Sequence, residues 1–265
     1  MADWVPAGYL IHAFIFFIGS AIGSFLNVVI YRIPLDLSVV FPASHCPSCK
    51  TPVRSYDNLP ILSYIRLKCE CRSCKAAISI RYPIVEAMTA FAALGSVLWL
   101  GATSDAVALF IFFALLFTAS LIDFDYQIIP DKITYPAVAI GFTLSFFRSD
   151  ITWTEGLAGL LVGAGVLMAV RVIGQRIFKK EVMGLGDVKL LALIGVFLGW
   201  EASLFSMFLG SILGTLYGIP MLIQESRTGE RGDHMIPFGP FLAGGGLLGA
   251  ILMKTIWWSC FPFQN

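Results

Sequence analysis

Eight apolar stretches bounded by charged or turn-forming residues run through this chain, at residues 8–30, 83–100, 106–122, 133–147, 155–174, 188–200, 202–223 and 238–258. A hydrocarbon core about 30 Å thick takes about 20 helical residues to cross, and inside it each segment must satisfy its own backbone. Of the 265 residues 57% are hydrophobic and only 13% charged, which excludes an ordinary soluble domain. The expected fold is an all-α polytopic membrane protein with about eight transmembrane helices. The stretches at 133–147 and 188–200 are short for a full crossing, and Gly199 to Ala202 leaves little room for a loop.

Charge placement predicts the orientation. If the first loop is cytoplasmic, 16 of the 18 Lys and Arg fall on the cytoplasmic side or at cytoplasmic helix ends. Eight lie between Arg32 and Arg81, one is Lys132, five run from Arg171 to Lys189, and two are Arg227 and Arg231; only Arg148 and Lys254 fall outside. Under the positive-inside rule both termini then face out. The start "MADWVPAGYLIHAF" lacks the basic residues of a signal peptide, and its apolar run continues past signal length, so the first span is expected to be retained. A net charge of +1 suggests no nucleic-acid partner.

One sizeable polar insert, residues 34–82, holds five of the six cysteines. It carries "CPSC" (Cys46, Cys49) and "CRSC" (Cys71, Cys74), the form of a four-thiolate zinc site in which each pair supplies two tetrahedral corners. Two disulfides are the competing reading, which a reducing cytoplasm argues against. Four thiolates leave no open position for water, so the expected zinc is structural. A small insert buries little apolar surface and needs such a staple. Cys69, two residues before Cys71, stands as a possible competing ligand, and Cys260 as a packing or free thiol. The expected domains are a first transmembrane helix (1–33), a cytoplasmic zinc-binding domain (34–82) and a transmembrane core (83–265).

Ionisable residues at membrane depth are costly and point to function. Asp123 closes the third stretch in "LIDFDYQIIPDKIT" and Asp187 opens the sixth in "GLGDVKLL", so both are placed near one face. Two close carboxylates share a proton, and one can act on water while the other polarises a carbonyl. The blander reading makes Asp187 a helix N-cap, with Asp123, Asp125 and Asp131 as solvated loop charges. No G-x-S-x-G or H-E-x-x-H motif occurs.

A series of blocks resembles the prepilin peptidases, or type IV leader peptidases, of bacterial type IV pilus and type II secretion systems. They are "GSFLNVVIYRIP" (Gly23 to Pro34), "CPSC", "YDNLPILSY" (Tyr56 to Tyr64), "CRSC", "ISIRYPIVEAMTA" (Ile78 to Ala90), "LIDFDYQIIPDKIT", "GLGDVKLLALIG" and "IPFGPFLAGGG" (Ile236 to Gly246). The resemblance implies a G-x-G-D intramembrane aspartyl protease of the inner membrane, with Asp123 and Asp187 catalytic. It also implies that a prepilin or pseudopilin leader is cut at the cytoplasmic face, and that the new N-terminus is methylated from S-adenosylmethionine. The chain departs at Cys69 and Glu70, where the family usually has Gly followed by Lys or Arg; the departure bears on methyl transfer, not on proteolysis. Two other readings compete with it. A G-x-G-D protease of another substrate class is opposed by the cysteine insert and the block order. A transporter relaying protons through its aspartates is opposed by carboxylates placed at one face instead of the midplane. Asn27, Arg32, Asn58, Glu86 and Lys189 lie in the matching blocks, and structural roles are expected for most of them. Lys189 is two positions from Asp187 and does not share its helix face, which favours a headgroup anchor.

Overall fold

The computed structural model describes residues 5–181, 183–228 and 237–252. Arg231, His234, Ile236, Lys254 and Cys260 lie outside the described residues, as does the side chain of Arg227. The secondary structure is helical: α1 (Val5–Arg32), α2 (Leu62–Arg66), α3 (Arg81–Leu100), α4 (Ser104–Tyr126), α5 (Asp131–Leu144), α6 (Trp153–Phe178), α7 (Leu185–Leu198), α8 (Trp200–Thr228) and α9 (Gly239–Leu252). Every helix except the short α2 falls on one of the eight apolar stretches.

Five of them, α1, α3, α4, α6 and α8, are long and apolar enough to cross a membrane, which makes this a multi-pass membrane protein. Of the other three, α5 and α7 have 14 residues each, and α9 is described over 14, up to Leu252. At 1.5 Å per residue such a helix reaches about 21 Å, short of a full hydrocarbon core. The eight expected spans are thus eight helices, of which α5 and α7 fall short of a crossing by length.

The chain forms two compact units, Met1–Ala114 and Leu115–Asn265, with the boundary inside α4. In the first, α1 packs along α3. Gly19 and Gly23 let the backbones close in, since a Cβ on either would come within 2.8 Å of a Cα, that of Ala90 or Glu86. That is the small-residue packing of helices in lipid, where no hydrophobic force drives association. Glu86 turns inward, and its Oε2 accepts the N–H of Ile61 at 2.7 Å, fastening the insert to α3. Asn27 donates to the carbonyl of Tyr82 at 3.2 Å. Both side chains thus make contacts that hold this unit together.

In the second unit α7 is the central helix, with α5, α6, α8 and α9 packed around it. Val188 and every residue from Leu190 to Phe197 are buried, which explains a sequence apolar on all sides. The tight join to α8 is made by Gly199 alone, whose φ of +88° lies in a region closed to most L-residues. Arg148, one of the two exceptions to the charge pattern, has an internal use. Its Nη1 donates to the carbonyl of Phe197 at 2.6 Å, capping the C-terminal end of α7, while Nε binds Asp150.

Candidate active site and cysteine cluster

Asp123 lies in the last turn of α4 and is 6% exposed. Its Oδ2 accepts the backbone N–H of Gly239 at 2.8 Å. Gly239 is the first residue of α9, so this donor has no partner within its own helix, and the carboxylate sits at the positive end of the helix dipole. A Cβ at position 239 would stand 2.7 Å from the same oxygen. Gly239 was not singled out from sequence; the signal available was a glycine opening an apolar helix in "FGPF".

Asp187 is the third residue of α7, whose N-cap is Gly184. The N-cap reading of Asp187 is thereby overturned, because the cap position lies three residues earlier. Asp187 is half-buried, engages no hydrogen-bond donor among the described residues, and lies within electrostatic range of Asp123. The two carboxylates, 64 positions apart by their numbering, are brought together at the meeting of three helix ends, those of α4, α7 and α9. One is fixed by a backbone donor and the other is left open. Asp125, two residues on, is exposed.

The segment between α4 and α5 closes against α7. A Cβ on Gly186 would come within 2.9 Å of Cβ of Ile129, so a glycine beside Asp187 admits this close approach. Lys189 forms an ion pair with Asp131 and lies over the ring of Tyr135 at 5.1 Å. Its expected role as a headgroup anchor is corrected: it ties the start of α5 to α7, two residues from the catalytic candidate. Asp131 correspondingly has a partner and is not simply a solvated charge.

The insert contains two copies of one backbone knuckle. In the first, the N–H of Cys46 binds the carbonyl of Thr51 and the N–H of Lys50 binds that of Cys46; in the second, Cys71, Ala76 and Lys75 repeat the pattern. Lys50 and Lys75 each take a left-handed φ, 58° and 60°, to complete the turn. The folds bring Cys46, Cys49, Cys71 and Cys74 together, with all four Sγ atoms within 4.8 Å of one another. Cys46 and Cys74 are 3.7 Å apart and Cys49 and Cys71 4.0 Å. Thiolates at about 2.3 Å from a tetrahedral zinc would be separated by about 3.8 Å, whereas a disulfide needs about 2.05 Å. The donor set therefore suits a metal ion. Hydrogen bonding with the side chain and backbone of Thr51 lowers the Cys49 thiol to about 6, favouring the thiolate a metal requires.

Cys69 is exposed, its backbone N–H donates to the carbonyl of Tyr64 at 2.9 Å, and it lies outside the four-sulfur cluster. It takes a left-handed φ of 64°, the conformation that suits the glycine usual at that place in the resembling family, and Glu70 beside it pairs with Ala77 in a β-bridge. Asp57 ties the insert together. It accepts from Nε and Nη2 of Arg72 at 2.7 and 2.6 Å and from Arg66 at 2.8 Å, and Arg72 lies inside the second cysteine pair.

Comparison with known proteins matches this chain to two family models. Residues 17–100 match the bacterial peptidase A24 N-terminal domain, and residues 110–219 match the type IV leader peptidase family. A prepilin leader peptidase/N-methyltransferase of Myxococcus xanthus is 37% identical over 86% of this chain and 68% of its own length. The protein of that name from Pseudomonas putida is 35% identical over 88% of each chain. The chain belongs to the type IV leader peptidase family. A further family member, the type 4 prepilin-like proteins leader peptide-processing enzyme of Escherichia coli, is 36% identical over 86% of this chain and 89% of its own. No solved structure matches the chain significantly. Both aspartates lie within the leader peptidase match, and all four clustered cysteines lie within the N-terminal match.

Proposed function

We propose that this chain removes the leader peptides of type IV prepilins or pseudopilins and methylates the N-terminus so exposed. The observation that carries the reading is the Asp123–Asp187 pair, fixed on one side by Gly239 and open on the other, within a chain whose relatives are named for these two activities.

Asp187, which no donor among the described residues engages, takes the proton of a water bound between the carboxylates. Asp123, with Oδ2 held by Gly239, carries the shared proton on Oδ1 and gives it to the oxygen of the scissile carbonyl. The resulting diol collapses as a proton passes to the leaving amine, and no covalent enzyme intermediate forms. S-adenosylmethionine, when bound, supplies the methyl group for the second activity. The cysteine cluster holds a structural zinc that fixes the insert. The distribution of Lys and Arg supports a cytoplasmic insert, with both aspartates at the same face of the bacterial inner membrane. A leader cut there leaves the substrate's apolar helix in lipid.

The test is the intact mass of a pilin precursor incubated in detergent with the purified protein and S-adenosylmethionine. The expected result is loss of the leader and gain of one methyl group. Asp187→Asn and Asp123→Asn should each lower cleavage on the order of 10³-fold or more, because neither residue works without the other. Cleavage retained by either variant would refute the assignment.

A further inference from the structure

Arg32 ends α1 and is only 8% exposed. Its Nη1 and Nη2 donate to the carbonyls of Ser38 and Pro42 at 2.9 and 2.7 Å, and no carboxylate among the described residues pairs with it. Buried charges are ordinarily paired, because an uncompensated one forfeits its hydration. Two neutral carbonyls occupy two of the five guanidinium donors and cancel none of the charge.

Arg32 also lines a cavity of about 440 Å³ between α1 and the insert. Phe25, Val40 and Pro60 give it an apolar wall, and Ser24 and Asn58 add polar groups. Small-molecule sites of about 300–1,000 Å³ have this make-up, mostly apolar with a few placed polar groups. The whole cavity lies within residues 17–100, the N-terminal match, and apart from the segment that carries the two aspartates. We propose that this cavity binds the methyl donor S-adenosylmethionine, with Arg32 receiving its carboxylate and the apolar wall facing its nucleoside. A guanidinium fork recognises a carboxylate through paired hydrogen bonds, and a nucleoside base has the flat apolar faces such a wall accepts. The proposal rests on the methyl-transfer reading above. A phospholipid phosphate offers the same anionic oxygens, and the experiment separates the two sources.

The full chain in detergent is dialysed against S-adenosylhomocysteine and, separately, against 5′-methylthioadenosine, which keeps the nucleoside and lacks the carboxylate. Wild type should prefer the first by about tenfold or more, and Arg32→Gln should bind both alike. Val40→Trp, at a side chain 66% exposed and so tolerant of change, should weaken both by filling the cavity. Bound zinc reports folding; if Arg32→Gln loses it, Val40→Trp decides, and unchanged affinity there overturns the site. A preference that survives in folded Arg32→Gln overturns it as well. So does phosphatidylglycerol retained by wild type and lost from Arg32→Gln, with no preference between the nucleosides. If wild type methylates a cleaved pilin without Arg32-dependent binding, the site alone fails. If it neither methylates nor binds the homocysteine analogue, the methyl-transfer reading fails with it.

Discussion

The backbone N–H of Gly239 meets Oδ2 of Asp123 at 2.8 Å, joining the first turn of α9 to the last turn of α4 across 116 positions of sequence. A methyl group at position 239 would stand 2.7 Å from that oxygen and displace the carboxylate. Gly239→Ala should therefore lower leader cleavage by about 10- to 100-fold, the worth of one hydrogen bond to a charged group. Methylation of a pilin supplied already cleaved should be unchanged. Kinetics with the two substrates check the split, and equal loss of both would show a global folding defect instead.

The ion pair between Lys189 and Asp131 bears on the same site from the other side. Both side chains keep some exposure, 22% and 56%, so the pair should add no more than about 1 kcal/mol to stability. Its effect on geometry should be larger, because it holds the start of α5, and with it Ile129, against Gly186 beside Asp187. Asp131→Ala should shift the melting temperature by a degree or two while slowing cleavage several-fold. The double reversal Asp131→Lys with Lys189→Asp should recover part of the rate, and no recovery would argue that the pair is incidental.

Much of this is legible in the sequence alone, for physical reasons that differ by element. The helices could be read because lipid forces each apolar stretch to satisfy its own backbone. The cysteine cluster could be read because two C-x-x-C turns can present sulfurs to one metal with little help from the rest of the fold. Asp123 and Asp187 stood out because a carboxylate beside an apolar run is costly. Partners set by tertiary approach were not legible. Gly239 donates to Asp123 only because α9 begins where α4 ends, and nothing local in "FGPF" encodes that. Lys189 was read along its own helix, whereas its partner lies on α5. The single-residue turn at Gly199 resolved the crowded "GWEA" junction through a backbone angle that composition does not reveal.

Purified protein should carry one zinc per chain. Cys46→Ser or Cys71→Ser should lose it and open residues 34–82 to protease, since a structural zinc contributes folding energy outright, about 10 kcal/mol or more in small domains. Cleavage should suffer less than methyl transfer, because Asp123 and Asp187 belong to the second compact unit and the cysteines to the first. Metal analysis, limited proteolysis and the two activity assays together check this. Full zinc content in both variants would refute the four-thiolate site.

Asp57 gives the insert a pH dependence of definite sign. Hydrogen bonds from Arg72, and then from Arg66, hold its carboxyl below the ordinary value. A depressed folded-state pKa means that its contribution is full above the unfolded value of about 3.9 and fades as pH falls through the folded one. At pH 7, Asp57→Asn should therefore leave the insert more open to protease than wild type, with Arg72 released from its paired contact. As pH drops below about 4 the difference between the two proteins should close, because wild type then loses what the variant already lacks. Acid also strips thiolate-bound zinc, but it does so from both proteins, so the difference between them isolates Asp57. A gap that stays constant down to pH 3, or that opens only in acid, would show that Asp57 does not stabilise the insert through its charge.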